Sequence, residues 1–126
     1  MFLETMSIYC KLYLDKIQEI SIPNKYTKIY LAICNRAALR GKNRKTVKNK
    51  LNYVESHHIV PRSFGLINIK IKENLVHLTA REHFICHLLL TKMFEEKFKI
   101  GMIMAAWLMM CKNKNDGMVK INSTMY

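Results

Sequence analysis

The sequence contains four cysteines but no CxxC pair. This absence argues against a zinc ribbon, and the wide spacing of the cysteines gives no compact disulfide framework. We therefore expect reduced thiols in the core of a cytosolic protein. The four residues are Cys10, Cys34, Cys86 and Cys111.

Long hydrophobic runs are also missing. The longest, from Ile100 to Cys111, is about half of what a bilayer-spanning helix requires. We therefore expect no membrane span. The first residues have no basic leader and carry acids at Glu4 and Asp15, so we expect no signal peptide there.

Acidic residues are few. The chain has 9 Asp and Glu against 21 Lys and Arg, which gives a formal net charge of +12. Such a charge attracts polyanions and holds them by releasing counterions. Nucleic acid is the leading partner, although an anionic membrane surface or ribosomal RNA would satisfy the same electrostatics.

One stretch of the chain carries seven cations and no acid. We predict an exposed linker or loop here, and two interpretations of its charge stay open, a solvated segment or direct contact with phosphates. Its cations are Arg36, Arg40, Lys42, Arg44, Lys45, Lys48 and Lys50.

A chain of 126 residues, half of them hydrophobic, can bury one core. We predict an α+β fold whose outer parts are helical. Apolar spacing indicates helices over Phe2–Ile20, from about Asn24 to Leu39, and over Phe98–Met110. Trp107 and the methionines of the last helix are predicted to serve helix packing. The predicted segments are a helical part at 1–40, a basic linker at 41–52, a central core at 53–96, and a C-terminal helix and tail at 97–126.

The central segment has a strand, loop, strand, helix pattern. Two β-like stretches, Tyr53–Val60 and Leu75–Leu78, flank a turn and a loop. Thr79 is a good N-cap residue, and Glu82 three positions later completes a capping box. We therefore predict a helix that begins at Thr79.

Histidines cluster in this central segment. Side chains alternate across a strand, so the neighbours His57 and His58 must point in different directions. His83 and His87 lie four positions apart, which places them on one helix face and allows both imidazoles to bind one cation. An HxxxH pair alone is weak evidence, but together with His57 and His58 it supplies candidates for both a metal site and a general base.

The runs YVESHHIVPRSFGL and ENLVHLTAREHFICHLLL resemble the HNH endonuclease motif in its ExHH form, which colicin-type nucleases share with many phage and intron-encoded endonucleases. The resemblance implies a ββα-metal (His-Me) finger flanked by helices. It assigns His57, His83 and His87 as metal ligands, His58 as the general base and Asn74 as the residue that orients the base.

The resemblance further implies hydrolysis of phosphodiester bonds in double-stranded DNA with one divalent ion, in the host cytoplasm if a phage encodes the chain. Three imidazoles favour zinc, nickel or cobalt, whereas a site with fewer ligands could use magnesium or manganese, so the metal stays open. Relatives often have Gly-Gly where this chain has Gly65-Leu66, which puts the course of the following loop in question. Whether a C-terminal specificity region is missing also stays open.

Residues around the motif have two interpretations each. Glu55 is either a hydrogen-bond acceptor for a ligand imidazole or a solvent-facing strand residue. His77 lies outside the motif and is interpreted as a structural or exposed strand residue. Four cations are candidates for phosphate contact, with surface charge as the alternative. They are Arg44, Lys45, Arg62 and Arg81.

Two other functions compete with cleavage. A DNA-binding protein could keep a metal-stabilised HNH scaffold without cutting, although the intact His58 argues against this. A basic interaction or RNA-binding protein with structural histidines would show no metal dependence. Sequence specificity and oligomeric state are not readable from these patterns.

Overall fold

The computed structural model describes residues 8–64 and 73–116. Within these ranges the chain forms five α-helices and a two-stranded sheet, which confirms the α+β class and is consistent with a small ββα-type core. In chain order the elements are α1 (Ile8–Ile20), α2 (Lys25–Arg40), α3 (Arg44–Leu51), β1 (Glu55–His58), a short 3₁₀ helix (Arg62–Phe64), β2 (Leu75–Leu78), α4 (Ala80–Leu90) and α5 (Glu96–Asp116).

The two strands pair antiparallel, and in their register Glu55 lies opposite Leu78 and His57 lies opposite Val76. Because side chains alternate along a strand, His57 lies on the buried face of the sheet together with Val76 and Leu78 of β2. A two-stranded sheet is not stable alone, so it needs a helical cover. Helices α2 and α4 provide it.

The predicted capping box at the start of α4 is confirmed. The Thr79 hydroxyl accepts from the Glu82 backbone N–H at 3.1 Å, and the Glu82 carboxylate accepts from the Thr79 backbone N–H at 2.9 Å. The backbone N–H groups of Thr79 and Glu82 have no carbonyl partner within the helix, and these two side chains provide their hydrogen-bond acceptors. The beginning of α4 is fixed by this arrangement.

The interpretation of the basic stretch as a linker or loop is wrong for Arg44–Leu51, which forms α3. The Asn43 side chain accepts from the Thr46 backbone N–H at 3.1 Å and begins the helix. Val47 is 1% exposed and anchors the helix to the core. The helix has only two apolar residues, Val47 and Leu51, among its charges, and two positions do not establish a period, so the helix was not predictable from the pattern. The boundaries of the four predicted segments remain predictions.

Three other elements differ from their predicted extent. Strand β1 covers only Glu55–His58 of the predicted Tyr53–Val60, because only these residues pair with β2. Helix α5 is longer than predicted. The start of the first predicted helix and the loop that contains Gly65 and Leu66 lie outside the described residues.

The predicted packing role of Trp107 is wrong. Its side chain is 61% exposed, and Met104 is 58% exposed, whereas Met102 and Ala106 on another side of α5 are buried. Helix α5 is apolar around most of its circumference, so composition could not show which face meets the core.

The core is built around α2. Tyr30, Cys34 and Ala37 are fully buried there and contact residues of α1, α4 and both strands. The four cysteines form no disulfide within the described ranges, and three of them are buried, as predicted. No helix in the described part of the chain is both long and apolar enough to cross a bilayer.

A salt bridge joins α2 to α4. The Arg40 guanidinium donates to both oxygens of the Glu82 carboxylate, at 2.9 and 2.5 Å, and also to the His77 backbone carbonyl at 3.2 Å. Burial alone would raise the pKa of Glu82, but the hydrogen bonds from Arg40 and Thr79 lower it to about 2. One carboxylate therefore caps α4 and fastens it to α2.

We expect Glu82→Gln to reduce the free energy of unfolding by about 2 kcal/mol at pH 7, because it removes charge-assisted hydrogen bonds. The pKa of Glu82 is lower in the folded state, so this stabilisation is complete above pH 4.5 and is lost as the pH falls from 4.5 towards about 2. Urea unfolding at pH 7 and at steps below pH 4.5 measures the difference between wild type and variant.

The matched control is Glu19→Gln, since the Glu19 side chain is 71% exposed. This variant should unfold like the wild type at every pH. The difference in the free energy of unfolding between Glu82→Gln and the wild type should shrink in acid. A difference that stays constant across the acid range would contradict the lowered pKa of Glu82.

Candidate metal centre

Three histidines from two elements converge. His57 comes from β1, and His83 and His87 come from adjacent turns of α4. One ring nitrogen of each lies within 4.8 Å of one nitrogen of each other ring. The ring centroids are 5.1 Å apart for His57 and His83, 5.3 Å for His57 and His87, and 4.9 Å for His83 and His87. The structure therefore brings together the three predicted ligands.

His57 is the most buried of the three, at 2% exposure. Burial, and then the neighbouring His83 and His87, lower its pKa well below 6.5, so the ring is neutral at pH 7. Its Nε2 atom lies 2.8 Å from the hydroxyl of Tyr30, which also contacts the Ile59 carbonyl oxygen at 2.8 Å. Burial, followed by the neighbouring cysteines, raises the pKa of Tyr30, so its hydroxyl is protonated.

His83 is oriented by Glu55. The His83 Nδ1 atom lies 2.7 Å from the Glu55 carboxylate, which also accepts from the Tyr53 hydroxyl at 2.7 Å. A carboxylate can only accept, so Nδ1 carries a proton, and in the neutral form of the ring Nε2 is the nitrogen with a lone pair. Of the two interpretations of Glu55, the structure shows the hydrogen-bond acceptor. A carboxylate on the outer nitrogen is the usual partner of a metal-binding imidazole.

His87 completes the group. Its Nε2 atom lies 3.2 Å from Nε2 of His83, and burial, together with His83, lowers its pKa to about 4. Its Nδ1 atom is buried and has no hydrogen-bond partner among the described residues. Two ring nitrogens therefore lie within hydrogen-bond distance of each other, where one can donate to the other or both can bind a shared cation. Three imidazole donors around one point fit a divalent transition metal.

His58, the neighbour of His57 on β1, is not one of the three converging histidines, but it lines a cavity together with them. Burial, and then the Arg62 guanidinium and His83, lower its pKa below 6.5, so it is neutral at pH 7. Its Nε2 atom is buried and has no partner within the described ranges. A neutral imidazole with an unengaged nitrogen is the form that a general base requires.

Asn74 is fully buried and holds the chain just after His58. Its amide donates to the Val60 carbonyl at 2.8 Å, and its carbonyl oxygen accepts from the Val60 N–H at 2.9 Å. The Asn74 backbone carbonyl accepts from the Ile59 N–H at 2.8 Å. Asn74 therefore fixes the backbone that follows the candidate base.

Two cavities border the histidines. One of about 480 Å³ is lined by Arg44, Glu55, His83 and His87 together with residues of α5. The other, of about 310 Å³, is lined by all four histidines of the motif and by Arg62. Each cavity thus has one arginine at its edge. The other two candidate phosphate contacts, Lys45 and Arg81, are exposed but line neither cavity.

Sequence reasoning missed the roles of Tyr30 and of two arginines on α2, and left one histidine with two interpretations. Tyr30 gave no signal because it lies in an apolar stripe of α2. Arg36 and Arg40 were predicted as exposed linker cations, yet both donate to the Glu82 carboxylate. His77 is buried and contacts the Ser56 hydroxyl and the Lys42 carbonyl, so the structural interpretation is correct and the exposed one is wrong.

The chain is similar to several phage proteins. It is 39% identical over 103 residues to "Probable mobile endonuclease E" of Enterobacteria phage T4, a match that covers 80% of this chain and 64% of that protein. It is 47% identical over 83 residues to "Probable mobile endonuclease D" of the same phage, with 65% and 29% coverage. It is 41% identical over 98 residues to "Probable mobile endonuclease B", with 77% and 34% coverage.

The chain thus spans less than two thirds of the length of each of these relatives. No family model matches the sequence, and no solved structure matches it.

We expect the protein to bind one Zn²⁺ or Co²⁺ ion through the three converging histidines and to be stabilised by it. At a hundredfold excess over the dissociation constant the gain is about 2.7 kcal/mol. His83→Ala and His87→Ala each remove a ligand and should abolish most of the gain. Thermal unfolding with and without metal, and calorimetric titration, measure both effects.

His58→Ala is the matched control, because it removes a neighbouring imidazole outside the converging group. It should keep the metal-dependent gain. Equal stabilisation of the wild type and the two ligand variants would show that the ion binds elsewhere.

Proposed function

We propose that the chain is a metal-dependent endonuclease of the HNH class that hydrolyses phosphodiester bonds of double-stranded DNA. The observation that carries this proposal is the convergence of His57, His83 and His87 next to the neutral His58. The names of the similar phage proteins agree with nuclease activity, and their source agrees with action in the host cytoplasm. In this proposal residues 53–96 form the catalytic core.

The converging histidines would hold one divalent cation. Its positive charge would stabilise the negative charge that develops on the scissile phosphate and on the leaving oxygen. The pKa values of His57 and His87 are lowered, so these ligands need not lose a proton at pH 7 to bind it. Glu55 engages Nδ1 of His83, which leaves Nε2 as the nitrogen that would bind the cation.

His58 would accept a proton from the attacking water. Its lowered pKa keeps it unprotonated at neutral pH, at some cost in basicity. None of the hydrogen bonds that Asn74 makes to Ile59 and Val60 involves the His58 ring. It acts on the base by holding the Ile59–Val60 backbone, which fixes the direction in which the His58 side chain leaves the strand.

The positive field of the chain would bring DNA to this site. Arg44 lines one of the two cavities and Arg62 lines the other, so each can donate to a phosphate bound there. Lys45 and Arg81 are exposed away from the cavities, so their proposed contribution is to the long-range field.

We expect His58→Ala to reduce cleavage of supercoiled plasmid by about 10²- to 10⁴-fold, because it removes the proton acceptor. The plasmid is incubated with Mg²⁺, Mn²⁺, Zn²⁺ or Ni²⁺, and nicked and linear products are separated on a gel. The wild-type rate should be independent of pH above 6.5 and fall only at lower pH, since the pKa of His58 is lowered from that value.

The outcomes separate the competing functions. Wild-type protein that binds DNA and metal but cuts with none of the four ions would support the non-cleaving scaffold. A protein with no metal dependence in binding or cleavage would support the structural role of the histidines.

We expect Arg62→Ala to weaken DNA binding about tenfold more than Arg81→Ala, because only Arg62 lies at a cavity and can make a charge-assisted hydrogen bond to phosphate. Both variants are made in the His58→Ala protein to prevent cleavage, and fluorescence anisotropy gives the dissociation constants. Since each variant removes one positive charge, equal weakening would mean that Arg62 contributes only to the net charge.

A further inference from the structure

The Tyr30 hydroxyl joins two groups deep in the core. It lies 2.8 Å from Nε2 of His57 and 2.8 Å from the backbone carbonyl oxygen of Ile59. The tyrosine is 0% exposed and its ring meets the imidazole edge to face, with centroids 5.8 Å apart and planes at 72°. Its two partners, His57 and Ile59, are far from Tyr30 in the sequence and flank the candidate base, His58.

The direction of these hydrogen bonds follows from the available protons. The Ile59 carbonyl can only accept, so the single hydroxyl proton of Tyr30 is donated to it. The hydroxyl oxygen then faces Nε2 of His57 with a lone pair, and Nε2 must be the donor. A neutral imidazole carries one N–H, so Nδ1 of His57 is left with a lone pair.

We propose that Tyr30 is a positioning residue that holds His57 in its Nε2–H tautomer and thereby directs the Nδ1 lone pair towards His83 and His87. This inference rests on the metal centre of the proposed function and does not require cleavage. Tyr30 acts on His57 as Glu55 acts on His83, by engaging the outer ring nitrogen. The hydroxyl is neutral, so it orients the buried ring without adding a charge to the core.

A second donor set explains why His57 needs this constraint. Ligand atoms of Cys34, His57 and Cys86 also lie within 4.8 Å of one another, so His57 belongs both to a set with two buried thiols and to a set with two histidines. Thiol and imidazole donors together favour different cations from imidazoles alone. The hydrogen bond to Tyr30 occupies one nitrogen of His57 and leaves the other for the histidine side.

The first measurement needs no variant. In ¹⁵N-labelled wild-type protein without metal at neutral pH, long-range ¹H–¹⁵N correlation distinguishes protonated from unprotonated ring nitrogens. We expect His57 to show a protonated Nε2 and an unprotonated Nδ1. A protonated Nδ1 would overturn the proposal, whether or not the protein binds metal or cuts DNA.

The second measurement uses Tyr30→Phe, which removes only the hydroxyl. We expect the His57 tautomer to redistribute and the Zn²⁺ affinity to fall about 10- to 100-fold by calorimetric titration. Thr27→Val is the control, because it removes another buried hydroxyl of α2, one that donates to the Ile22 carbonyl at 2.6 Å.

Thr27→Val should lose stability but keep both the tautomer and the Zn²⁺ affinity of the wild type. Tyr30→Phe with an unchanged tautomer and affinity would overturn the proposal, as would equal loss of affinity in the two variants. Wild-type protein that shows the expected tautomer but binds no divalent ion would overturn the metal role of Tyr30 together with the metal centre, while the tautomer assignment would stand.

Discussion

Burial of the His57 ring between β1, α2 and α4 constrains the whole site, because a buried imidazole must be neutral and its ring nitrogens need partners. One nitrogen meets the Tyr30 hydroxyl. The other is left for the two helical histidines, whose own outer nitrogens are differently engaged: His83 binds Glu55, and the outer nitrogen of His87 has no partner among the described residues. Two of the three converging imidazoles, those of His57 and His83, are therefore held by a hydrogen bond to the outer ring nitrogen.

The relative position of α2 and α4 matters for the same reason. Tyr30 lies on α2 and His83 on α4, so any shift between these helices would separate the partners of His57. The two hydrogen bonds from Arg40 to Glu82 cross this interface, and Glu82 also caps α4 one residue before His83. Stability of the fold and geometry of the candidate metal centre thus depend on the same carboxylate. The net charge of +12, which counts the histidines as neutral, comes from lysine and arginine side chains and is available for polyanions.

The local signals in the sequence predicted the parts of the fold that rest on local interactions. The capping box located the start of α4, and strand alternation separated His57 from His58. Long-range partners were not predictable. Tyr30 looked like a packing residue in an apolar stripe, and Arg40 looked like one more cation of a basic linker, because their partners are 27 and 42 positions away. Helix α3 was missed because its tertiary anchor is one residue, Val47.

The central claim is that His57, His83 and His87 hold one divalent cation. The most direct test is anomalous X-ray scattering from crystals of the protein grown with Zn²⁺. The account predicts one strong peak at about 2.0 to 2.1 Å from a nitrogen of each of the three rings, with Nδ1 as the ligand atom of His57. A peak beside Cys34 and Cys86, or no peak near the three histidines, would contradict it.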